Sequence, residues 1–168
     1  TRRFKAKAQL FGSGAIMGEV LKAQEILESY KVAADVWSVT SYKALHRDAA
    51  HVDRANRMRA DGERQDPYVR RALGDAEGPI VAASDYVRAL PDMLAPFLEQ
   101  PLTSLGTDGF GRSEARAELR DFFEVDARHV AHATLRALVD EGQVAQSVLD
   151  EATADLGIVS DRPDPVTR

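Results

Sequence analysis

The sequence contains no cysteine, which excludes disulfide bonds, zinc sites with thiolate ligands and a cysteine nucleophile within this chain. It also has no uninterrupted apolar run of about 18 residues, the length that a transmembrane helix needs. The basic first residues are followed by no hydrophobic stretch of the kind found in signal peptides. These absences favour a cytoplasmic protein that has no membrane partner.

Several motifs that carry chemistry are missing as well. There is no Gly-x-Ser-x-Gly nucleophile elbow, and no phosphate-binding loop that ends in Gly-Lys-Ser/Thr. His129 and His132 are three residues apart on a predicted helix, a spacing that can bring two ligands together, and His46 and His51 are five apart on another. A zinc site would still need a third ligand from elsewhere, and the double-histidine motif with a glutamate is absent. We therefore predict no metal site and expect surface or interface roles for His46, His51, His129 and His132.

Basic residues are also fewer than acidic ones: the chain has 22 Lys and Arg and 27 Asp and Glu, which gives a net charge of −5. A chain with that balance has no overall positive field for nucleic acid, so we expect no nucleic-acid partner. Its 168 residues fit one domain of ordinary size. Because the chain begins at Thr1 rather than Met, we expect a piece of a longer protein. We expect a domain over 1–159 and a flexible tail over 160–168, which contains two prolines.

Strand and helix patterns alternate over the first hundred residues. Short apolar runs predict strands at 8–16, 34–41, 79–84 and 102–106, and the stretches after the first three predict helices at 17–30, 42–58 and 86–98, the last interrupted near Pro91 and Pro96. Residues 59–77 are polar and predict a loop, with a short helix possible at 68–73. This alternation predicts a three-layer α/β/α fold with a mostly parallel sheet of about five strands.

The last third of the chain is predicted to be helical. Asp126 is a suitable N-cap, and Val125 and Val130 have the spacing of a hydrophobic staple around it. Gly142 and Gly157 are suited to end the last two helices in the left-handed conformation.

The turn Gly12-Ser13-Gly14 lies between a predicted strand and a predicted helix, a place where backbone amides can hold a phosphate. A dinucleotide fingerprint needs a third glycine where this sequence has Met17, although Asp35 could serve as the acidic residue of that fingerprint. We favour a structural turn, and phosphate binding is the alternative.

A glycine-rich loop at 106–113 is the most unusual segment, and it follows the last predicted strand, where open α/β sheets place ligands. Asp108 could accept hydrogen bonds or bind a metal, and Arg112 could meet a carboxylate. In the structural interpretation, which we favour, the glycines form the turn, Phe110 anchors it in the core and Ser113 caps a helix that begins at Glu114. The candidate structural or interface residues are Asp108, Gly109, Phe110, Gly111, Arg112 and Ser113.

Four segments, in order along nearly the whole chain, match one known family. The clearest runs from Leu105-Gly106-Thr107-Asp108-Gly109-Phe110-Gly111-Arg112-Ser113 to Phe123-Glu124-Val125-Asp126. The others are Leu10-Phe11-Gly12-Ser13-Gly14, Asp35-Val36-Trp37-Ser38-Val39-Thr40-Ser41 and Ala82-Ala83-Ser84-Asp85-Tyr86. Together they resemble the C-terminal domain of the bacterial homodimeric pyruvate dehydrogenase decarboxylating component, a family of thiamine diphosphate enzymes. Residues 52–78 add little to the match.

The resemblance implies a transketolase C-terminal-domain fold and a longer parent that decarboxylates pyruvate and acetylates the lipoyl group of an acetyltransferase component. In that family a Gly-Asp-Gly motif holds thiamine diphosphate and magnesium, and this chain has no such motif, since Thr107 precedes Asp108-Gly109. The resemblance therefore implies no catalytic or cofactor-binding residue here, and an inactive chain when alone.

The implied partners are the remaining domains of the parent, a second copy in a homodimer, and the lipoyl acetyltransferase component. We expect the 106–113 loop and the 126–142 helix to form interfaces. The competing hypothesis is a free-standing module that binds an anion or small ligand through the two glycine loops, and an independent enzyme ranks last.

Overall fold

The computed structural model describes residues 4–167 and contains one parallel sheet within an α/β/α arrangement. Its strands lie in the order β2-β1-β3-β4, and every neighbouring pair is parallel. The strands are β1 (Ala6–Gly12), β2 (Val32–Ser38), β3 (Ile80–Ala83) and β4 (Leu102–Leu105). The described residues thus form four strands rather than about five, because only four segments carry a strand pattern and 106–167 fold into loops and helices.

Seven α-helices lie within the described residues. They are α1 (Met17–Ser29), α2 (Tyr42–Met58), α3 (Tyr68–Leu73), α4 (Ala89–Asp92), α5 (Arg116–Phe122), α6 (Ala127–Asp140) and α7 (Gln146–Asp155). Short 3-10 turns cover Gly14–Ile16, Ala95–Phe97 and Pro165–Thr167. The helix predicted at 86–98 is split into α4 and a 3-10 turn, as expected from its two prolines. No helix in residues 4–167 is both long and apolar enough to cross a membrane.

Two apolar layers enclose the sheet because successive side chains of a strand alternate between its faces. Leu10 and Val81 belong to the layer shared with α1, α6 and α7, whereas Phe11 and Ile80 belong to the layer shared with α2 and α3. Both faces of the central strands are therefore buried, which explains the continuous apolar runs in the sequence.

The ends of α6 confirm the predicted signals. The Asp126 carboxylate accepts a hydrogen bond from the backbone N–H of His129 at 3.0 Å, and Val125 and Val130 are both buried. Gly142 follows the helix with a φ of 71°. Because α6 turns its apolar face into the layer shared with α1, an interface role for 126–142 would fall to its outer face and stays a prediction.

The start of α5 differs from the expectation. The helix begins at Arg116, and its N-cap Ala115 is extended with a ψ of 154° and offers no side-chain cap. Ser113 is therefore not the cap, because the extended backbone of Ala115 keeps the preceding residues outside the helix.

The end of the described chain contacts α5. Arg162 donates to the carboxylate of Asp121 at 2.7 Å and to its backbone carbonyl oxygen at 3.1 Å. The domain boundary at 159 and the flexibility of the tail stay predictions, and Arg168 lies outside the described residues.

Candidate functional site

The candidate site lies at the carboxyl edge of the sheet. The chain runs from β1 to β2 on one side and later adds β3 and β4 on the other, so the strand order reverses between β1 and β3. Crevices at such switch points are where open α/β sheets bind ligands. The two glycine loops singled out in the sequence, Gly12-Ser13-Gly14 and 106–113, both follow strands that end at this edge.

A cleft of about 310 Å³ opens there between the strand ends and α5. Its apolar lining includes Ile16 and Val125, which are fully or almost fully buried, together with Leu119 and Phe123. Its polar lining comprises Asp85, Thr107, Arg112, Arg116 and Arg120. The cleft is thus an apolar depression with guanidinium groups on its α5 side.

The turn Gly12-Ser13-Gly14 contacts the carboxylate of Asp85. The backbone N–H of Ala15 donates to Asp85 Oδ2 at 3.4 Å, and a Cβ at Gly14 would lie 2.5 Å from Asp85 Oδ1. Asp85 therefore occupies the position at which a phosphate would approach the turn, and its negative charge opposes such a ligand. The sequence signal for Asp85 is its place two residues after the end of β3, a buried parallel strand.

The first part of the 106–113 loop is fastened to the loop after β3. Arg88 donates to both carboxylate oxygens of Asp108. Its guanidinium group donates to Oδ2, and its backbone N–H donates to Oδ1 at 3.0 Å. The Thr107 hydroxyl donates to the backbone carbonyl of Asp85 at 2.7 Å. Asp108 is thus used to fix the loop, which supports the structural interpretation over metal binding for this residue.

Gly106 is needed for this close contact. A Cβ at that position would lie 2.5 Å from the carbonyl oxygen of Tyr86 and 2.9 Å from the backbone nitrogen of Arg88, closer than real Cβ atoms come. Only glycine lets the 106–113 loop approach the loop after β3 this closely.

Phe110 does not anchor the loop, contrary to the sequence-based expectation, because its side chain is 87% exposed. Phe123 and Val125 pack into the core beneath this edge, and Gly109, with a φ of 87°, turns the chain ahead of Phe110. Other large apolar side chains exposed near this edge are Tyr86, Val87 and Val166. Apolar groups gathered and exposed in this way are typical of a protein interface.

The arginines of the cleft differ in their partners. Arg112 lies over the Phe122 ring, 4.4 Å from its centre, and both Arg112 and Arg116 are exposed. Neither makes an ion pair with another of residues 4–167. Arg120, by contrast, donates to Glu19 Oε1 at 2.9 Å and to the backbone carbonyl of Ala15 at 3.2 Å.

Glu19 holds this arrangement together from below the cleft. Its buried carboxylate also accepts from the backbone N–H of Ala127 at 3.1 Å and from Lys22 at 3.0 Å. Burial alone would raise the pKa of Glu19, but the hydrogen bonds from Lys22 and Ala127 and the charge of Arg120 outweigh it and lower the pKa. Glu19 was not among the predicted site residues, although its spacing of four from the buried Ala23 places it on the apolar face of α1.

A cluster of Asp121, Asp126 and His129 has ligand atoms within 4.8 Å of one another. Arg128 binds both carboxylates, and Arg162 also binds Asp121. These guanidinium groups already neutralise the acids, so the cluster is an internal ion-pair network. The expectation that the chain holds no metal stays a prediction.

The histidine pairs do not converge on a shared ligand position. His132 contacts the Thr153 hydroxyl at 2.9 Å and joins α6 to α7, while His129 faces Asp126. His46 packs edge-on against Phe97, and His51 is exposed.

Comparisons with known proteins agree with the geometry. A family model described as the transketolase-like TK C-terminal domain matches residues 2–126. A solved structure described as a split-gene transketolase, inactive beta4 tetramer, has a TM-score of 0.52 and 21% identity, and the match covers 79% of this chain and 38% of that one. That likeness concerns the fold.

Curated relatives are closer in sequence. The chain is 40% identical over 160 residues to the pyruvate dehydrogenase E1 component of Pseudomonas aeruginosa, covering 94% of this chain and 18% of that protein. It is 39% identical over 163 residues to the protein of the same description from Escherichia coli, covering 96% and 18%. For the one from Mycobacterium tuberculosis the values are 41% over 143 residues, covering 84% and 15%. The chain thus spans less than a fifth of the length of these relatives.

Proposed function

Because the chain belongs to the family of transketolase-like C-terminal domains, we propose that it is the structural and interface domain of a pyruvate dehydrogenase E1 component. The observation that carries this proposal is the 38–41% identity to proteins of that description over 94–98% of the chain in several bacteria. The proposed role is to complete and stabilise the enzyme through the carboxyl edge of the sheet.

The proposed parent decarboxylates pyruvate and transfers the acetyl group to the lipoyl group of an acetyltransferase component. It works as a cytoplasmic homodimer that uses thiamine diphosphate and magnesium. Support for these properties comes from the family resemblance and from the names of the relatives. The geometry of this chain tests one of them, which is whether its cleft could hold the cofactor.

The residues of the cleft do not fit a magnesium diphosphate. The carboxylates near the strand ends already have partners in the chain, since Asp108 binds Arg88 and Asp85 accepts from Ala15. The sequence also lacks the Gly-Asp-Gly motif that the resemblance connects with this cofactor. The proposal therefore assigns the cofactor to other domains of the parent and gives this chain no catalytic residue.

The competing hypothesis of an anion-binding module loses one of its two supports. Asp85 lies at the turn Gly12-Ser13-Gly14 and disfavours a phosphate there. The second support, the 106–113 loop, is better suited to an interface because Asp108 is engaged and Phe110 is exposed.

The test is pyruvate decarboxylation with thiamine diphosphate and magnesium, measured for this chain alone, for the remainder of its parent, and for the two mixed. We expect activity to rise when the chain is added to the remainder. Turnover by the chain alone would contradict the assignment of the catalytic residues to other domains. A remainder that is fully active and dimeric without this chain would contradict the structural role.

A further inference from the structure

We propose that the cleft at the carboxyl edge receives an acidic segment of the parent chain, which inserts an apolar side chain and places a carboxylate on Arg112 and Arg116. This inference rests on the proposed function, because the occupant is a segment of the other domains. It adds the chemistry of the partner and the residues that recognise it.

The shape of the cleft fits an apolar side chain. Ile16, Leu119, Phe123 and Val125 provide an apolar lining in a depression of about 310 Å³, at the small end of the usual range for binding clefts. Ile16 and Val125 are already buried, so the surface that an occupant would remove from water belongs mainly to the half-buried Leu119 and Phe123. Removal of apolar surface from water is the main source of affinity in interfaces. Phe110 also lines the cleft and offers an 87%-exposed aromatic surface to the same partner.

The positive charges of Arg112 and Arg116 at the edge of the cleft favour a partner that carries a carboxylate. Arg112 and Arg116 are exposed on the α5 side, and neither has a carboxylate partner among residues 4–167. A guanidinium group binds a carboxylate with two parallel hydrogen bonds, and stacking of Arg112 on Phe122 leaves its edge available for them. Because Asp85 lines the cleft at the strand ends, the carboxylate is expected at the α5 side.

The parent chain is favoured as the source for two reasons. The curated relatives are more than five times as long as the matched segment, so the proposed parent supplies a large surface for this domain to contact. In addition, the exposed residues Tyr86, Val87 and Val166 extend the apolar surface beyond the cleft. Aromatic residues and arginine around an apolar centre are the usual composition of a protein interface, whereas a small ligand would use the cleft alone.

The experiment is hydrogen–deuterium exchange on the full-length parent and on the isolated chain, followed at the backbone amides of 109–118. In the parent we expect these amides to exchange about tenfold or more slowly than in the isolated chain. The double variant Arg112→Gln and Arg116→Gln in the parent should return much of the exchange rate, as should high salt. The matched control is Arg54→Gln, an exposed arginine on α2, which should change nothing.

Each outcome decides between the alternatives. Equal exchange in the parent and the isolated chain would overturn the inference while leaving the decarboxylation test of the proposed function untouched. Slow exchange that is insensitive to both substitutions and to salt would mean that the occupant is not acidic, and would also overturn it. Protection that develops in the isolated chain as its concentration rises would identify a second copy as the occupant instead.

Discussion

Replacing Glu19 with glutamine is expected to destabilise the isolated domain by about 2 kcal/mol at pH 7. The two carboxylate oxygens accept from different partners, Arg120 on one and the backbone N–H of Ala127 on the other. Glutamine has one oxygen, so its amide group would face a donor and one partner would be left unsatisfied. A hydrogen bond to a charged group contributes about 1.5–3 kcal/mol, and the 7% exposure of Glu19 leaves little water to compensate.

The pH dependence gives a second signature. The pKa of Glu19 is lowered in the folded state, so the ionised carboxylate stabilises the fold fully above its ordinary pKa of about 4.5. That stabilisation is lost as the pH falls through the folded pKa, because the group then takes up a proton. The stability difference between the wild type and Glu19→Gln should therefore be largest near neutral pH and shrink below about pH 4.

The measurement is chemical and thermal unfolding of the wild type and the variant at several pH values, with a loss of about 4–8 °C in the melting temperature expected at neutral pH. Glu25→Gln is the matched control, since Glu25 is an exposed residue of the same helix and should change the stability by less than about 0.5 kcal/mol. Equal stability of Glu19→Gln and the wild type at pH 7, or a difference that persists unchanged at pH 3, would refute the role given to this carboxylate.

Three further substitutions test other parts of the structure. Phe110→Ser should leave the melting temperature of the isolated chain within about 1–2 °C of the wild type because the ring is exposed, whereas a loss of about 3–5 kcal/mol would show that it is buried. Gly106→Ala should cost about 1–3 kcal/mol because its Cβ would meet backbone atoms, while Gly111→Ala, with open space around it, should not; equal melting of the two variants would contradict the close approach. Asp126→Ala should lose about 1–2 kcal/mol of unfolding free energy through the missing N-cap and Asp126→Asn clearly less, so similar losses in urea titrations would show that the cap is not the cause.

Much of the fold could be predicted because neighbouring residues determine it. The four apolar runs became the four strands, since strands buried on both faces need continuous apolar residues. Asp126 and Gly142 lie at the two ends of α6 as predicted, because capping depends on residues within one turn of the helix end. The fifth strand did not appear in the described residues, and no run of the sequence had supported it.

The candidate site could be predicted in part. The 106–113 loop was singled out by its glycines and its place after a strand, and it does line the cleft. The side on which Phe110 would lie could not be deduced, because an aromatic residue next to glycines can turn inward or outward, and Phe123 and Val125 pack into the core beneath it. Asp85 was missed as the occupant of the glycine turn, since the two segments are about seventy residues apart.

The sequence by itself determined the four strands, most of the helices, both ends of α6, the two glycine loops as candidates, and the family to which the chain belongs. These depend on short-range periodicity, on backbone preferences and on residue patterns that survive in order along the chain. The tertiary structure alone decided the strand order, the meeting of the two glycine loops at one edge, the pairing of Glu19 with Arg120, and the exposure of Phe110. Such contacts join residues far apart in sequence, and their energies depend on which groups exclude water from one another once the layers have packed.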